Sequence, residues 1–413
     1  MATEIRRLAA DELEQFVRIA RPAYPGIAVS PEDLLERLRR TEGGEDPTIS
    51  SWGAFRNGEL QGVMRYFDFT MSCHGELLPV GGVGFVAVDL LHKKEHVARD
   101  MIAAFLRHYR EAGAPLAALY PFRPDFYRQM GFGYGARLNA YNLRTSAFPR
   151  GEKSHLRHLA RADAAAILAC HNRYVERTHG LFRRGEALMG RMLESPERRV
   201  VGYVEGDTVQ GYLLYQFQRG SRSFLDNSLE VVELVAEHPE ALRELFAFIH
   251  SQADQVQRVI WNTHDDQLHH LVSDPRNGTE NLLVPTSHET NVQGVGIMYR
   301  LLDTAGFFAA MGGHSFGGES LTLGIDVRDS FLPENDGQLV VHFAGGRPKL
   351  DHNAPPEVWI GLNVEHLSSL VMGAADFRAL LAYGLAEIDN PSYSDRVHRL
   401  FQSAARPMCL TAF

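Results

Sequence analysis

The stretch with the clearest chemical potential runs from residue 86 to residue 132. An apolar run, Val86-Ala87-Val88, leads into Asp89-Leu90-Leu91-His92-Lys93-Lys94-Glu95-His96-Val97-Ala98 and then into an amphipathic segment. Helix N-termini carry unpaired N–H groups and the positive end of the helix dipole, which suit phosphate. Lys93 and Lys94 stand where the loop meets the helix, so they read as a pyrophosphate cradle, or equally as a solvated basic pair. About 30 residues on, Tyr127-Arg128-Gln129-Met130-Gly131-Phe132 sets a phenol on a short helix that Gly131 stops; on its own it also reads as a core tyrosine. The run His264-Asp265-Asp266-Gln267-Leu268-His269-His270 contains metal-ligand types but no recognised spacing, so a solvated polar loop is the simpler reading and no metal is assigned. Arg183-Arg184 and Arg198-Arg199 read as surface charge.

Several elements must hold these groups in place. Residues 30–40, SPEDLLERLRR, predict a helix with Ser30 as N-cap, Pro31 at the first helical position and acids in the first turn. Residues 51–69 predict a hairpin about Asn57-Gly58. Residues 82–88 predict a buried strand. Residues 95–112 predict a helix with Val97, Met101, Ile102, Phe105 and Tyr109 on one stripe, ended by Gly113. A strand over 115–121 and a short helix over 124–130 follow.

Part of this pattern repeats. Gly53, Gln61, Gly62 and Tyr66 recur as Gly202, Gln210, Gly211 and Tyr215 at a constant offset of 149 residues, and the helix from Ala98 recurs from Leu242. The expected fold class is α+β in α/β layers, with three domains at 1–150, 151–288 and 289–413. The linkers fall at Phe148–Gly151 and in the Pro-, Gly- and Asn-rich stretch from Asp274 to Thr290. The last domain holds two strand-like runs, 321–327 and 337–343, and a helix from about Ala375 to Ala386.

Composition narrows the classes. The 413 residues are 45% hydrophobic, with 23 Phe, 14 Tyr and 3 Trp, so a packed core is affordable and wholesale disorder is excluded. With 42 basic and 51 acidic residues the net charge is −9, which argues against a protein that mainly grips nucleic acid. Three widely spaced cysteines form no metal knuckle or disulfide framework and fit a reducing, cytoplasmic setting. The first residues read as no secretory signal, and no run of 18 apolar residues exists to span a membrane.

The order of parts (helix, long hairpin, splayed strand, phosphate loop and helix, strand, tyrosine helix) resembles the GNAT superfamily of acetyl-CoA-dependent N-acetyltransferases. The family loop Q/R-x-x-G-x-G/A is matched by Lys93-Lys94-Glu95-His96-Val97-Ala98, with His96 in place of the first glycine. A side chain there should crowd a close approach of backbone to phosphate. A tandem GNAT pair followed by a sterol-carrier-protein-like (SCP2-like) α+β domain resembles the Eis (enhanced intracellular survival) family. That likeness is carried further by MYRLLDTAGFF (298–308), ENDGQLVV (334–341), VEHLSSLVMGA (364–374) and the ending PMCLTAF.

The resemblance implies acetyl-CoA as co-substrate, held by Val86, Ala87, Val88, Lys93, Lys94, His96, Val97 and Ala98. It implies Tyr127 as general acid and the terminal carboxylate of Phe413 as general base. An unperturbed terminal carboxyl titrates near about 3.5, so it is a weak base unless buried or working through water. His74 and Glu76, beside the splayed strand, are reserve candidates for the base. The resemblance also implies a small-molecule amine acceptor, aminoglycoside-like or polyamine, and a homo-oligomer, a hexamer. Glu32, Asp33 and Glu36 would line an acidic cleft or merely cap their helix. The second copy lacks the basic pair and the tyrosine motif and reads as a half that does not bind CoA. The competing reading is a non-catalytic acyl-CoA sensor or lipid-binding protein.

Overall fold

A computed structural model of the chain describes residues 3–27, 29–220, 226–351 and 353–413. The first unit comprises β1 (Glu4–Arg7), α1 (Leu13–Ala23), α2 (Pro31–Arg40), β2 (Ile49–Arg56), β3 (Glu59–Cys73), β4 (Glu76–Val88), α3 (Val97–Glu111), β5 (Leu116–Leu119), α4 (Pro124–Arg128) and β6 (Gly133–Tyr134). Local signals account for most of it. Asn57 and Gly58 take φ of 52° and 80°, the left-handed pair of a tight hairpin, and Arg56 faces Glu59 across the turn. His74 and Gly75, at 49° and 93°, make the same turn between β3 and β4. Ser30 Oγ accepts from Asp33 N at 3.0 Å, the expected cap of α2. The apolar stripe of α3, with Met101, Ile102 and Phe105 fully buried, packs on Met64, Tyr66 and Val83 of the sheet.

The second unit runs from β7 (Arg137–Arg144) and β8 (Leu156–Leu159) through α5 (Ala164–Arg177), α6 (Glu186–Leu193), β9 (Arg199–Glu205), β10 (Thr208–Arg219), β11 (Asn227–Ala236), α7 (Pro239–His250) and β12 (Arg258–Thr263). A small hairpin, β13 (Leu282–Val284) and β14 (Ser287–His288), occupies the stretch read as a linker, before β15 (Asn291–Val295) and β16 (Met298–Leu301). The repeat is carried into the register. Gly53 faces Val63 and Gly202 faces Tyr212; each hairpin then skips a residue, at Gln61 and at Gln210. The freed carbonyls of Gln61 and Gln210 each accept a backbone N–H at 2.9 Å, from Asp89 and Glu237.

The two sheets exchange strands. Their orders are β1-β2-β3-β4-β5-β16-β6 and β15-β7-β12-β11-β10-β9-β8. Thus β7, which follows the first unit in sequence, pairs in the second sheet, and β16, from beyond residue 289, pairs in the first. The third unit holds α8 (Thr304–Ala310), β17 (Leu321–Arg328), β18 (Gly337–Ala344), β19 (Arg347–Leu350), β20 (Val358–Asn363), α9 (Val364–Val371), α10 (Phe377–Ala382), β21 (Ala386–Ile388) and α11 (Ser394–Leu400). The helix expected over 375–386 is shorter, because Gly384 at φ 68° turns the chain into β21. The core of this unit is continuous with Met71, Leu78 and Val80 of the first sheet and Phe182 of the second unit. No helix among the described residues is long and apolar enough to cross a membrane.

Candidate active site

The cleft begins where β4 leaves β5. The two strands pair in parallel only from Val80–Gly82 to Leu116–Ala118. Between Val63 and Arg65 of β3, β4 carries one extra residue, and Phe85 there takes φ 51°. Such a bulge bends a strand and re-aims its peptide groups, so Val83–Val88 diverge from β5 with one backbone edge unpaired by a neighbouring strand. Tyr24 Oη donates to Val86 O at 2.9 Å, which ties the end of α1 to the splayed strand.

A cavity of about 860 Å³ fills the splay. All eight residues expected at a cofactor site, Val86, Ala87, Val88, Lys93, Lys94, His96, Val97 and Ala98, line it. The N-terminus of α3 faces it without a side-chain cap, so its first N–H groups are free for an anion. Lys93 and Lys94 are exposed and, among the described residues, form no ion pair. His96 sits at φ 64°, ψ 8° and Lys94 at φ 69°, in conformations a glycine would take freely. Each costs about 1–2 kcal/mol in a non-glycine residue. The backbone path of the loop is therefore kept despite the missing glycine, and the His96 side chain stands exposed. These features fit a pyrophosphate.

A second cavity, of about 190 Å³, opens from the first at Tyr24, Val86 and Phe122. Tyr127 and Phe413 both line it. Tyr127 is 2% exposed, and burial raises its phenol well above the ordinary tyrosine value. Its ring packs on Phe122, Phe126 and Phe132. The carbonyl of Met130, just after its helix, accepts from Arg300 Nε at 2.7 Å, and Arg300 in turn pairs with Asp329 at 2.8 Å, with both side chains fully buried. The β16 strand taken from late in the sequence thus fixes the tyrosine helix.

Phe413 is anchored by edge-to-face contacts with Phe67, Phe69 and Phe182 at 5.5, 4.8 and 5.8 Å, each contributing about 0.5–1.5 kcal/mol. Its carboxyl group lies over Gly84: a Cβ built there would come within 2.9 Å of the Phe413 carboxyl carbon. The tail is clamped on its way in. Met408 N donates to His179 O at 2.8 Å, beside Gly180 at φ 90°, where a Cβ would meet Met408 O at 2.6 Å. Arg184 Nη2 donates to Leu410 O at 2.8 Å and Arg184 Nε to Thr411 Oγ1 at 3.3 Å.

Arg184 corrects the expectation of surface charge. Its side chain is fully buried, in a two-point pair with Glu233 at 2.8 and 2.6 Å. Burial alone would raise the Glu233 carboxyl, but Arg184 overrides it and holds the group below the usual range. Tyr212 also donates to Glu233. The signal lay in β11, where Glu233 shares the inward face with Leu229, Val231 and Val235; period-two reading puts a carboxylate inside, and a buried carboxylate needs a partner. Tyr24, Tyr120 and Phe122, which also line the small cavity, escaped sequence reasoning because only the splay brings them together.

The reserve bases do not reach this site. His74 stacks on His179 at 3.8 Å, its Nε2 is 2.8 Å from Val371 O, and burial lowers it to about 3. Neither it nor Glu76 lines the two cavities. Glu32, Asp33 and Glu36 are exposed on α2 and line neither. Among the described residues, metal-ligand types converge at Cys73, His74 and His179. Both imidazoles there are already hydrogen-bonded to backbone oxygens, of Val371 and Met372. His264 bonds to Arg137 O rather than clustering with its neighbours.

Comparison with known proteins agrees with this architecture. Residues 4–135 and 174–300 match two acetyltransferase (GNAT) domain families, and residues 305–410 match the sterol carrier protein domain family. That order defines a tandem GNAT protein closed by a sterol-carrier domain. Over 88 residues the chain is 33% identical to the N-acetyltransferase Eis of Mycobacterium tuberculosis and of Mycobacterium bovis, a stretch covering 21% of this chain. The chain therefore spans about a fifth, 22%, of the length of these curated relatives. Over its whole length it superposes on a GCN5-related N-acetyltransferase from Anabaena variabilis (TM-score 0.84, 17% identity, 100% of each chain covered). Eis1 from Mycobacterium abscessus superposes likewise (TM-score 0.79, 21% identity, 100% of each chain). These structural likenesses are of fold. The chain is thus built of two acetyltransferase (GNAT) domains and a sterol carrier protein domain, and over part of its length it is similar to the Eis N-acetyltransferases.

Proposed function

We propose that this chain is an acetyl-CoA-dependent N-acetyltransferase acting on a small primary amine, with the first unit, within residues 1–150 but for β7 and completed by β16, as the catalytic unit, the second as a degenerate copy and the third as the domain that delivers the C-terminus. The observation that carries the reading is that Tyr127 and Phe413, whose carboxyl group lies over Gly84, line one cavity of about 190 Å³ that shares Tyr24, Val86 and Phe122 with the phosphate-competent cleft. Acetyl-CoA, when bound, supplies an activated acetyl group as a thioester. Lys93, Lys94, His96 and the N–H groups of Val97 and Ala98 hold the pyrophosphate. Backbone N–H groups between Val86 and Val88 hold the reacting carbonyl oxygen where charge develops. The Phe413 carboxylate takes a proton from the acceptor ammonium, and the Tyr127 hydroxyl, kept protonated by burial, holds the proton for the leaving sulfur.

The acceptor end is aromatic: Tyr24, Phe85, Tyr120, Phe122, Tyr127 and Phe413 surround it, and the terminal carboxylate is the anion among its described lining residues. One ammonium with a compact apolar body suits that lining. Aminoglycoside-like and polyamine acceptors follow from the family resemblance and the net charge of −9. They must bring one amine to the same carboxylate while the others stay in water. Release of CoA thiol from acetyl-CoA is to be measured with phenethylamine, spermidine and kanamycin. Turnover with any of them supports the enzyme, and their order sets the acceptor class. No thiol release with any primary amine refutes the reading.

The runner-up, a non-catalytic acyl-CoA sensor, is favoured by His96 at a position of strained φ. Calorimetric titration that finds tight acetyl-CoA binding without turnover would select it. A hexameric homo-oligomer accompanies the family reading; a monomer mass by light scattering refutes it. Three free, buried cysteines support placement in the cytoplasm.

A further inference from the structure

We propose that the splay of the second unit is a binding site of its own, for an aromatic or similarly flat organic cation. Strands β11 and β12 pair from Ser228–Val231 to Arg258–Trp261 and then part, as β4 and β5 do. The space between them is not filled by side chains. It holds a cavity of about 720 Å³, walled by Leu234 of β11, Leu242 and Phe246 of α7 and Trp261 of β12, and closed by Phe377 and Phe401 of the third unit. That volume lies in the range of small-molecule sites of about 300–1,000 Å³. Interiors are otherwise packed with few voids larger than water, so a degenerate domain with no ligand would be expected to close this gap.

Phosphate is the wrong occupant. Pro239 at the first position of α7 has no N–H, the His238 side chain accepts from Ala241 N, and Glu240 adds a negative charge to the first turn. The chemistry of the walls points to the opposite charge. Aromatic faces attract cations, more strongly as water is excluded, and here Trp261, Phe246, Phe377 and Phe401 share one cavity. At its mouth stand Asp265 and Asp266, whose carboxylates form no ion pair among the described residues. Asp265 Oδ1 accepts from Gln267 N at 2.7 Å and Asp266 Oδ1 from Gln267 Nε2 at 2.9 Å, which leaves the second oxygen of each for a ligand. The one arginine of the lining, Arg406, is turned onto the carbonyls of Gly373 and Ala374 at 3.4 and 3.1 Å. His264 lines the cavity too, and burial lowers its pKa, so it adds no positive charge at neutral pH.

The probe is benzyltrimethylammonium, which has no N–H and cannot serve as an acetyl acceptor. Its binding to the full-length protein is read as quenching of tryptophan fluorescence, assigned by loss of the signal in Trp261→Phe. The expected result is saturable quenching that survives deletion of Phe413. It should weaken about tenfold in the double variant Asp265→Asn/Asp266→Asn, which keeps both side-chain shapes and the turn onto Gln267 N. Benzyl alcohol should bind at least tenfold more weakly. Any of three results overturns the proposal: no Trp261-dependent saturation, loss of the signal with Phe413, or equal binding of the neutral alcohol. A protein that instead takes up fatty acid in this cavity, with no effect of the two Asn substitutions, overturns it in favour of a lipid site. Unchanged thermal stability of the Asn variant confirms that a weakened signal is not misfolding.

Discussion

The two splayed units share a frame and differ at its rim. In both, a hairpin skips one residue at a glutamine, and the freed carbonyl fixes the chain after the central strand. In both, the central strand pairs briefly with its parallel neighbour and then leaves it. In the first unit the following helix begins uncapped, with His96 and Lys94 at positive φ and the exposed side chains of Lys93 and Lys94 beside it. In the second it begins on a proline under a histidine cap, and His238 Nε2 also bonds Gln210 at 2.7 Å. Backbone register preserves the architecture, and a few residues at one helix start decide whether the cleft suits an anion. The proposed catalytic asymmetry follows the same line, because the terminal residue enters the first cleft while residues 402–410 of the same tail form one wall of the second.

Deleting Phe413 tests that asymmetry most severely. The proposed base and its aromatic anchor leave together, so kcat/KM with acetyl-CoA and an amine should fall by about 10³–10⁴-fold, toward the upper end of what positioned acid–base groups supply. CoA binding should hold, since no tail residue lines the larger cavity. Full activity in the truncated chain would show that the tail only plugs the cleft. The next largest effect falls in the second unit. Glu233→Ala strands the buried Arg184 guanidinium and should cost about 3–5 kcal/mol of unfolding free energy. Because Arg184 also holds Leu410 and Thr411, activity should drop even where the protein remains folded. A stable, fully active variant would break the link between the second unit and the first cleft.

Local order is largely legible in the sequence. The Asn57-Gly58 turn, the Ser30 cap, the stripe of α3 and the repeat are short-range signals, each complete within one or two turns of chain. Lys93 and Lys94 at the helix start are such a signal, whereas Val86–Val88, His96, Val97 and Ala98 are placed at the cleft only through the family resemblance. What escaped depends on distant partners. Arg184 reads as surface from its neighbours in sequence, and only Glu233 on the inward face of β11 makes it a core residue. The exchange of β7 and β16 between sheets leaves no local trace, since β7 alternates and β16 is buried on both faces, patterns that would serve in either sheet. Tyr24 joins the site through a hydrogen bond to Val86, 62 positions away.

The junction between the two units should show itself in acid. Burial lowers His179 to about 4 and His74 to about 3. Both are bases held neutral in the fold, so the unfolded chain binds more protons once pH falls below the ordinary histidine value of about 6.5. Their contribution is fully present above that value and is lost as pH drops toward 4 and then 3. For His179 alone the loss is on the order of 3 kcal/mol. Urea midpoints from pH 7.5 to 4.5 should fall in the native protein and fall less steeply in His179→Asn, which should start lower because the ring stack is gone. Parallel pH curves for the two proteins would mean that the histidine junction does not titrate with folding.

The smallest expected effect separates the two helix starts most cleanly, because one substitution should act with opposite sign in the two units. His96→Gly relieves a left-handed conformation worth about 1–2 kcal/mol, set against the added freedom of the unfolded chain, up to about 1 kcal/mol. The net change should be zero to about 1 kcal/mol of stabilisation, with no cap lost, since His96 makes none. His238→Gly starts from φ −152°, where a side chain is unstrained, and removes the bond to Ala241 N and the bond to Gln210. It should destabilise by about 1 kcal/mol. Urea unfolding at unchanged slope reads both. Destabilisation by both substitutions would mean that His96 makes contacts that outweigh its strain, and the first helix start would then be held by its histidine as the second is.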